Sequence, residues 1–435
     1  MNKGQKLLKQ AKKIIPGGNQ LLSKRSEMFL PGYWPVYYKK AKGTKIWDLE
    51  NNIYHDFAGM GVTSAILGYS DNDLNNAINA GLKRGSMTTL NSTEEVDLAK
   101  ELIKIHKWSN MAKFCKSGGE ACMVAIRIAR GFSKKQNIAF CGYHGWHDWY
   151  LAANMSNSKN LDKQLLPGLD TKGVSKSFKG SIMPFYYNDI KSLERLFNKK
   201  KNNIGVVIME PTRGIKSHNK FLENVKELTK KNKAILIFDE ITSGFKDNYG
   251  GIHLKLKVNP DMAIFGKSIG NGYPISAIIG KRNIMESSQG TFISSTMWTE
   301  SLGFVAARET LKKLKKFNIN KRISSNGVYL KSELLKLATK NKLNMTVSGL
   351  NSILYLSFNY PNNSEILTFF TQEMLKKGFL TGSQIFISFK HKKNIIDKYL
   401  KAANNIFYKI HIFINKKKFP LKGQIKHTTF RRLTG

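Results

Sequence analysis

The sequence predicts an α/β fold: a large domain with a mainly parallel sheet flanked by helices, plus a smaller α+β domain from the N- and C-terminal segments. Through the middle of the chain, short apolar runs alternate with helical stretches. The runs lie at residues 112–114, 138–140, 206–209, 235–238 and 262–265. Runs that are apolar throughout indicate strands buried on both faces, which is typical of a parallel sheet covered by helices. The two ends of the chain show mixed patterns, which predict the smaller domain.

The N-terminal segment predicts one helix and a small antiparallel unit. Apolar residues recur at helical spacing over 5–15, and the Pro-Gly-Gly sequence at 16–18 ends the pattern. Short strands follow, with turns predicted at 42–43 and 51–52. This segment is therefore expected to join the small domain.

The central helices carry recognisable start signals. Ser92 followed by Glu95 forms a capping-box pattern that opens a helix to about residue 106. Further helices are predicted at 121–130 and 221–231, between the apolar runs.

The C-terminal part is mixed from residue 318 onward. A helix leads to paired strands within 345–358, and helices follow at 365–377 and 392–412. The predicted division is an N-terminal segment, a large ligand-binding domain and a C-terminal small domain, at residues 1–60, 61–317 and 318–435.

The charge of the chain is strongly positive, at +41 from 71 basic and 30 acidic residues. Lysines spread along the whole chain supply most of it, whereas a surface that reads nucleic acid favours clustered arginines with aromatic neighbours. We therefore predict a solvated lysine-rich surface and no specific nucleic-acid partner. The densest basic segment, 416–432, is a candidate contact for an acidic partner.

Apolar runs and cysteines limit the location of the protein. No run approaches the roughly 20 apolar residues that a membrane span needs. Cys115, Cys122 and Cys141 are odd in number and form no CxxC pair, which argues against a disulfide framework or a cysteine zinc site. A cytoplasmic protein without membrane contact is expected.

A candidate oxyanion cradle follows the run at 112–114. Ser117, Gly118 and Gly119 stand where a strand passes into a helix. Glycines let backbone N–H groups approach an anion, and the helix N-terminus adds partial positive charge. The pattern suits one phosphate group, with a plain strand-to-helix turn as the alternative.

An aromatic and histidine cluster follows the run at 138–140. Tyr143 at the strand end can present its ring face to a planar ligand, with His144 beside it. A zinc site formed by His144, His147 and Asp148 is the alternative interpretation. No further grouping of histidines or cysteines supports it, so no metal is predicted.

Two charged residues follow the last two apolar runs. Asp239 ends an otherwise apolar strand, where a carboxylate is costly to desolvate unless it meets a cation or donor, such as a protonated heterocyclic nitrogen. Lys267 lies between a strand and a glycine-rich loop, where desolvation would make it a nucleophile for an aldehyde. A nucleotide-binding P-loop at Gly266 is excluded because Asp261 occupies a position that requires glycine. A turn-capping Asp239 and a solvated Lys267 are the structural alternatives.

In chain order these motifs fit one cofactor: a phosphate cradle, a ring-stacking aromatic, an acid for a pyridine nitrogen and an imine-forming lysine. The stretches 236–245 and 260–274 carry the most specific match. On them the chain resembles the class-III, fold-type I aminotransferases that depend on pyridoxal 5'-phosphate. Within that class it is most similar to glutamate-1-semialdehyde 2,1-aminomutase and its relatives, and weaker similarity covers nearly the whole chain.

The resemblance implies roles for the central residues. Lys267 would hold the cofactor as a Schiff base and later carry a proton. Asp239 would keep the pyridine nitrogen protonated so that the ring accepts electrons. Tyr143 would stack on the ring, with His144 nearby.

The resemblance also assigns residues around the cofactor. The 117–119 cradle would bind the phosphate, and Thr296 matches a threonine that family members send to the phosphate of the neighbouring subunit. Glu210 matches an acid beside the cofactor, and Glu240 is its partner after the aspartate. A homodimer with shared active sites is implied, acting on a small amino or carbonyl substrate.

The choice of reaction rests on departures from the aminomutase pattern. Gly119 stands where the aminomutase usually has threonine, and either Lys24 or Arg25 could take the role of its carboxylate-binding arginine. Residues 341–412 contain no arginine, although many class-III transaminases supply one from this region. The aminomutase shares this lack of arginine, which favours an aminomutase-like reaction, whereas the altered segment at residues 24–25 argues against a glutamate-derived substrate. A transaminase that aminates a keto-sugar or another small carbonyl compound is the alternative, and a non-enzymatic basic binding protein is a further one.

Overall fold

The computed structural model describes residues 2–200, 203–416 and 418–429. The chain divides into two compact units, one formed by Met1–Asp71 with Lys321–Gly435 and the other by Asn72–Asn320. The domain limits proposed after residues 60 and 317 stay a prediction.

The strands of the described residues are short, from two to six residues each. They are β1 (Tyr38–Lys42), β2 (Lys45–Asp48), β3 (Ile53–Asp56), β4 (Met111–Cys115), β5 (Asn137–Cys141), β6 (Ile182–Pro184), β7 (Ile204–Met209), β8 (Ile235–Asp239), β9 (Met262–Phe265), β10 (Ser276–Gly280), β11 (Met345–Leu350), β12 (Ile353–Phe358), β13 (Phe379–Leu380) and β14 (Gln384–Phe386).

The α-helices range from single turns to long C-terminal helices. They are α1 (Lys3–Ile14), α2 (Met60–Thr63), α3 (Asn72–Lys83), α4 (Thr93–Ile105), α5 (Gly118–Ser133), α6 (Asp148–Leu151), α7 (Ile190–Lys199), α8 (Phe221–Lys231), α9 (Ile252–Leu256), α10 (Arg282–Met285), α11 (Leu302–Lys316), α12 (Ile319–Lys340), α13 (Asn363–Lys376) and α14 (Lys393–Asn415). None of the helices in the described ranges is long and apolar enough to cross a membrane.

The Asn72–Asn320 unit contains a seven-stranded sheet of order β4-β10-β9-β8-β7-β5-β6. Strands β6, β5, β7, β8 and β9 run parallel, and β10 runs antiparallel to both β9 and β4. The mainly parallel sheet is thus confirmed, and the predicted apolar runs are β4, β5, β7, β8 and β9. The antiparallel β10 and the edge strand β6 were not predicted.

Helices cover both faces of this sheet. Successive side chains of a strand point to opposite faces, so strands that are apolar throughout need cover on both sides. Ile208 and Ile237 pack into the core that contains α5, whereas Val207 and Leu236 pack into the core that contains α7 and α8. All four side chains are buried. Burial of each contributes roughly 1.5–3 kcal/mol, so both faces of the sheet stabilise the unit.

The other unit combines the two ends of the chain. Strands β1, β2 and β3 form an antiparallel sheet, and β13 joins β3 in parallel, with Phe379 opposite His55. Strands β11, β12 and β14 form a second, antiparallel sheet. This is the smaller α+β unit that the sequence predicts, because a C-terminal strand completes the N-terminal sheet.

The capping box lies at a different helix from the one predicted. Ser92 caps α4 by accepting a hydrogen bond from the N–H of Glu94, and among the described residues its own N–H does not donate back to the Glu95 carboxylate. Helix α5 has the full capping box instead: Ser117 accepts from the N–H of Glu120, and the Glu120 carboxylate accepts from the N–H of Ser117 at 2.7 Å. A rigid helix start therefore follows β4, next to the predicted oxyanion cradle.

Candidate active site

The predicted site residues gather at one edge of the large sheet. Tyr143 and His144 follow β5, Glu210 follows β7, Asp239 ends β8, and Lys267 follows β9. Strands β5, β7, β8 and β9 are parallel neighbours, so their carboxyl ends meet at the same edge. This edge is where open α/β sheets bind ligands.

Asp239 is the most deeply buried acid of this group, with 3% of its surface exposed. Its Oδ2 accepts hydrogen bonds from the Nδ1 of His144 at 2.8 Å and from the thiol of Cys122 at 3.4 Å. Its Oδ1 accepts from the N–H of Ile241 at 3.0 Å. These donors hold the carboxylate in a fixed orientation, as a buried charge requires.

His144 and Cys122 are two side chains that donate hydrogen bonds to the Asp239 carboxylate. Burial and the nearby Asp239 raise the pKa of Cys122, so its thiol stays protonated and acts as a donor. The imidazole of His144 is buried, and its Nε2 has no hydrogen-bond partner among the described residues. The tautomer of His144 is therefore set by its bond to Asp239 through Nδ1.

Lys267 begins a 3₁₀ turn, Lys267–Gly270, directly after β9. Its φ of 47° lies in the left-handed region, which costs a residue with a side chain on the order of 1 kcal/mol and is found where the surrounding structure imposes it. Burial lowers the pKa of the amine, while Glu210 and Asp239 act in the opposite direction. A lysine with a lowered pKa is a better nucleophile near neutral pH.

Glu210 connects the ends of β5 and β7. Its Oε2 accepts from the backbone N–H of Tyr143 and from Arg213, both at 3.2 Å. A Cβ on Gly142, which has φ 120°, would lie 2.5 Å from this same oxygen, so only glycine permits the approach. Burial raises the pKa of Glu210, against the lowering effect of Arg213.

Tyr143 presents a partly open ring beside this carboxylate. Its side chain is 39% exposed, and its ring meets that of Tyr150 edge to face at 5.9 Å. Tyr150 donates its hydroxyl proton to the carbonyl of Gly142 at 2.9 Å, which holds the loop. An exposed aromatic face on a fixed loop can stack on a planar ligand.

The predicted oxyanion cradle lies at the N-terminus of α5, packed against neighbouring loops. A Cβ on Gly118 would lie 2.8 Å from Cδ1 of Ile241, and one on Gly119 would lie 2.7 Å from Cε1 of His147. The ring of His147 thus occupies the place where a larger residue at position 119 would put its side chain. The Nδ1 of His147 is buried and finds no hydrogen-bond partner in the part of the chain that the structure describes, and burial lowers the pKa of this histidine.

Glu240 does not join this group, although the resemblance placed it beside the cofactor. Its carboxylate accepts hydrogen bonds from Nδ1 and N–H of His253, from the hydroxyl of Ser243 and from the N–H of Ile252, at 2.7–2.9 Å. Burial acts to raise the pKa of Glu240, but these bonds lower it overall. These bonds hold the loop between β8 and α9, and the role of Glu240 beside the cofactor stays a prediction.

Thr296 starts a 3₁₀ turn, Thr296–Thr299, and its side chain is exposed. The exposed apolar side chains of Phe292 and Met297 lie close to it in sequence. Within residues 2–200, 203–416 and 418–429, no hydrogen bond joins Thr296 to the cluster at the sheet edge, and its carbonyl accepts from the hydroxyl of Thr299.

The zinc site considered at His144, His147 and Asp148 is not assembled. In the described ranges, the one group of three potential ligand atoms within 4.8 Å of one another is Cys122, His144 and Asp239. Its 2.8 Å contact between nitrogen and oxygen is a hydrogen bond. We describe this group as a hydrogen-bonded triad.

Two residues of the site were missed by the sequence analysis. Cys122 lies one turn into α5 and donates to Asp239, and Thr242 accepts a hydrogen bond from the Lys267 amine at 3.0 Å. Both occur within stretches that were singled out, but neither residue type marks a site by itself. Each contact joins residues far apart in sequence: the partner of Cys122 is 117 positions away and that of Thr242 is 25 positions away.

Comparison of the amino-acid sequence with known proteins identifies relatives of the chain. The family model for class-III aminotransferases matches residues 30–408. The chain is 31% identical to a 3-aminobutyryl-CoA aminotransferase of Cloacimonas acidaminovorans, covering 81% of this chain and 82% of that protein. It is 32% identical to a glutamate-1-semialdehyde 2,1-aminomutase of Methanothrix thermoacetophila, covering 92% and 96%.

Solved structures share the fold. The FumI protein of Sphingopyxis sp. MTA144, in its PLP internal aldimine form, superposes with a TM-score of 0.86 at 22% identity, covering 98% of this chain and 99% of that one. An omega-transaminase from Sphaerobacter thermophilus gives a TM-score of 0.83 at 23% identity, covering 94% and 98%.

Proposed function

The chain belongs to the class-III aminotransferase family, whose members are pyridoxal-phosphate enzymes of amino-group transfer, and on this premise we propose that it acts as a glutamate-1-semialdehyde 2,1-aminomutase. In that reaction one molecule gives up and receives the amino group. The predicted class, cofactor and aminomutase-like activity agree with the relatives found.

The residues at the sheet edge fit the cofactor. Asp239 offers a buried carboxylate for a pyridinium, Lys267 an amine with a lowered pKa for the aldehyde, and Tyr143 a ring face. The amides at the start of α5 would hold the phosphate. When bound, the cofactor supplies an electron sink for the carbanion that forms as the amino group moves.

The location of Asp239 and Lys267 at the ends of neighbouring parallel strands is the observation that carries this proposal. Asp239 ends β8 and Lys267 follows β9, so a carboxylate and an amine lie at the same sheet edge, and the carboxylate acts to raise the pKa of the amine. With both present, Lys267 can attach an aldehyde and carry a proton between carbon atoms, while Asp239 keeps a ring nitrogen charged. Glu210, anchored by Arg213, lines the same edge.

The sequences of relatives and the distribution of arginines support glutamate 1-semialdehyde as the substrate. Several aminomutases of methanogenic archaea align over 92–94% of this chain at 30–32% identity. The arginine-free region 341–412 also favours a reaction without a second amino-acid substrate. A transaminase of another small carbonyl compound is the second candidate, favoured by the aminobutyryl-CoA aminotransferase, which covers less of this chain.

We propose a homodimer with shared active sites in the cytoplasm. Exposed Phe292 and Met297 on either side of Thr296 offer apolar surface for a second copy, and Thr296 would then reach the partner's phosphate. The three cysteines are free thiols, as in a reducing compartment. The scattered lysines would bind nucleic acid only through counterion release, without sequence preference.

The assay that tests the reaction supplies the aminated enzyme with glutamate 1-semialdehyde. Rapid formation of 5-aminolevulinate, without exchange of nitrogen label with external glutamate, is expected. A parallel arm offers keto-sugar nucleotides with labelled glutamate, and Lys267→Ala is the control for uncatalysed reaction. If no 5-aminolevulinate forms from the semialdehyde and a sugar becomes labelled, the aminomutase proposal is wrong and the transaminase is the function.

A further inference from the structure

Thr242 provides a contact for Lys267 that neither the family pattern nor the relatives assign. The Lys267 amine donates a hydrogen bond to Oγ1 of Thr242 at 3.0 Å. The two residues follow neighbouring parallel strands, Thr242 after β8 and Lys267 after β9. The hydroxyl therefore meets the amine at the edge where the carboxylate of Asp239 lies.

The turn that carries Thr242 is fixed from several sides. The backbone carbonyl of Thr242 accepts a hydrogen bond from the buried Lys246, and Gly244 donates to the carbonyl of Glu240 at 2.7 Å. Asn320 donates to the carbonyls of Phe245 and Lys246 at 2.6 and 2.8 Å. Because threonine is β-branched, its χ1 has few alternatives. The backbone that carries the hydroxyl is therefore held in place, and the hydroxyl can leave the amine only by a change of the Thr242 rotamer or of the lysine side chain.

A neutral acceptor suits a lysine that must act as a base. The carboxylates of Glu210 and Asp239 favour the charged ammonium form of Lys267. A hydroxyl oxygen accepts one N–H without adding charge, and it leaves the nitrogen lone pair directed elsewhere. An amine held in this way stays within reach of a reacting atom and keeps its lone pair available.

We propose that Thr242 is a positioning residue, whose hydroxyl holds the Lys267 amine in place whenever that amine is not bonded to the cofactor. The inference rests on the proposed role of Lys267. Thr242 acts through the lysine.

The test measures how fast the lysine attaches to pyridoxal phosphate. Apoenzyme is mixed with increasing pyridoxal phosphate, and the visible band that borohydride abolishes is followed in time. Saturation separates the affinity for the cofactor from the limiting rate of bond formation. Thr242→Val removes the hydroxyl with little change in volume, and Thr242→Ser keeps it. Thr229→Val is the matched control, because Thr229 is a buried threonine whose hydroxyl donates to the carbonyl of Val225 within α8, away from the sheet edge that carries Lys267.

Thr242→Val is expected to lower the limiting rate about tenfold, the effect of one lost hydrogen bond, while the half-saturating cofactor concentration changes less than twofold. Thr242→Ser and Thr229→Val are expected to keep the wild-type rate. A Thr242→Val enzyme that reacts at the wild-type rate overturns the inference, as does a Thr242→Ser enzyme as slow as the valine variant. A wild-type enzyme that forms no band refutes the proposed function instead, so the two failures are distinguishable.

Discussion

Replacing Asp239 by asparagine tests the central electrostatic claim. The fold should tolerate the change, because the asparagine oxygen can keep the bond from Ile241 N–H while its amide group faces His144. His144 can then accept that amide proton at Nδ1 and carry its own proton on Nε2, an atom that no described residue contacts by a hydrogen bond. We expect a loss of about 1 kcal/mol in the free energy of unfolding, the net value of one hydrogen bond.

The chemistry should suffer far more than the fold. Removal of one partner from a buried charge pair costs about 3–5 kcal/mol, and at 1.36 kcal/mol per decade this lowers the rate roughly 10²–10⁴-fold. The measurement is a stopped-flow half-reaction with an amino donor, after cofactor occupancy has been verified by absorbance. We expect near-normal occupancy and a half-reaction slowed by that factor.

Asp261→Asn is the matched control for this experiment. Asp261 lies before β9, and it accepts from the N–H of Leu236 at 3.0 Å and pairs with Lys281 at 2.6 Å. The control should lose a similar amount of stability and keep its half-reaction rate. An Asp239→Asn enzyme that binds the cofactor and reacts within about tenfold of wild type would refute the reasoning.

Further predictions concern the lysine, the cradle and the buried acid. Lys267→Ala is expected to bind pyridoxal phosphate without the borohydride-sensitive absorption band. In the wild type, the rate of band formation should change with pH at a value below the ordinary lysine pKa of about 10.4, because burial lowers the pKa of Lys267. Gly119→Ala should weaken cofactor binding about tenfold by pressing on His147, and adding His147→Ala should restore it; an unrestored double variant means that the methyl acts on the cofactor directly. Glu240→Gln should lower the free energy of unfolding by about 3 kcal/mol, since it breaks a buried pair with His253. The pKa of Glu240 is lower in the folded protein than in the unfolded chain. The stabilisation by its carboxylate is therefore fully present above the ordinary pKa of about 4.3 and is lost as the pH falls through the lower folded value. The free energy of unfolding of Glu240→Gln, measured as the pH is lowered, should lack this loss.

The parallel sheet was predictable because its signal is local. Residues 206–209 and 235–238 are apolar throughout, and only strands buried on both faces make such runs stable. The antiparallel β10 was harder to recognise, because five residues after a glycine-rich loop carry no mark of direction. Its pairing with both β9 and β4 depends on contacts across the sheet.

The sequence alone determined that Asp239, Lys267 and Tyr143 follow buried strands. Since parallel strands end at one edge, this order is sufficient to place them together. Only the tertiary structure decided which partners these side chains meet: Cys122 donates to Asp239, Thr242 accepts a hydrogen bond from Lys267, and Glu240 accepts one from His253. Local sequence specifies where a strand ends, whereas the direction of a polar side chain depends on which distant donor or acceptor satisfies it on burial.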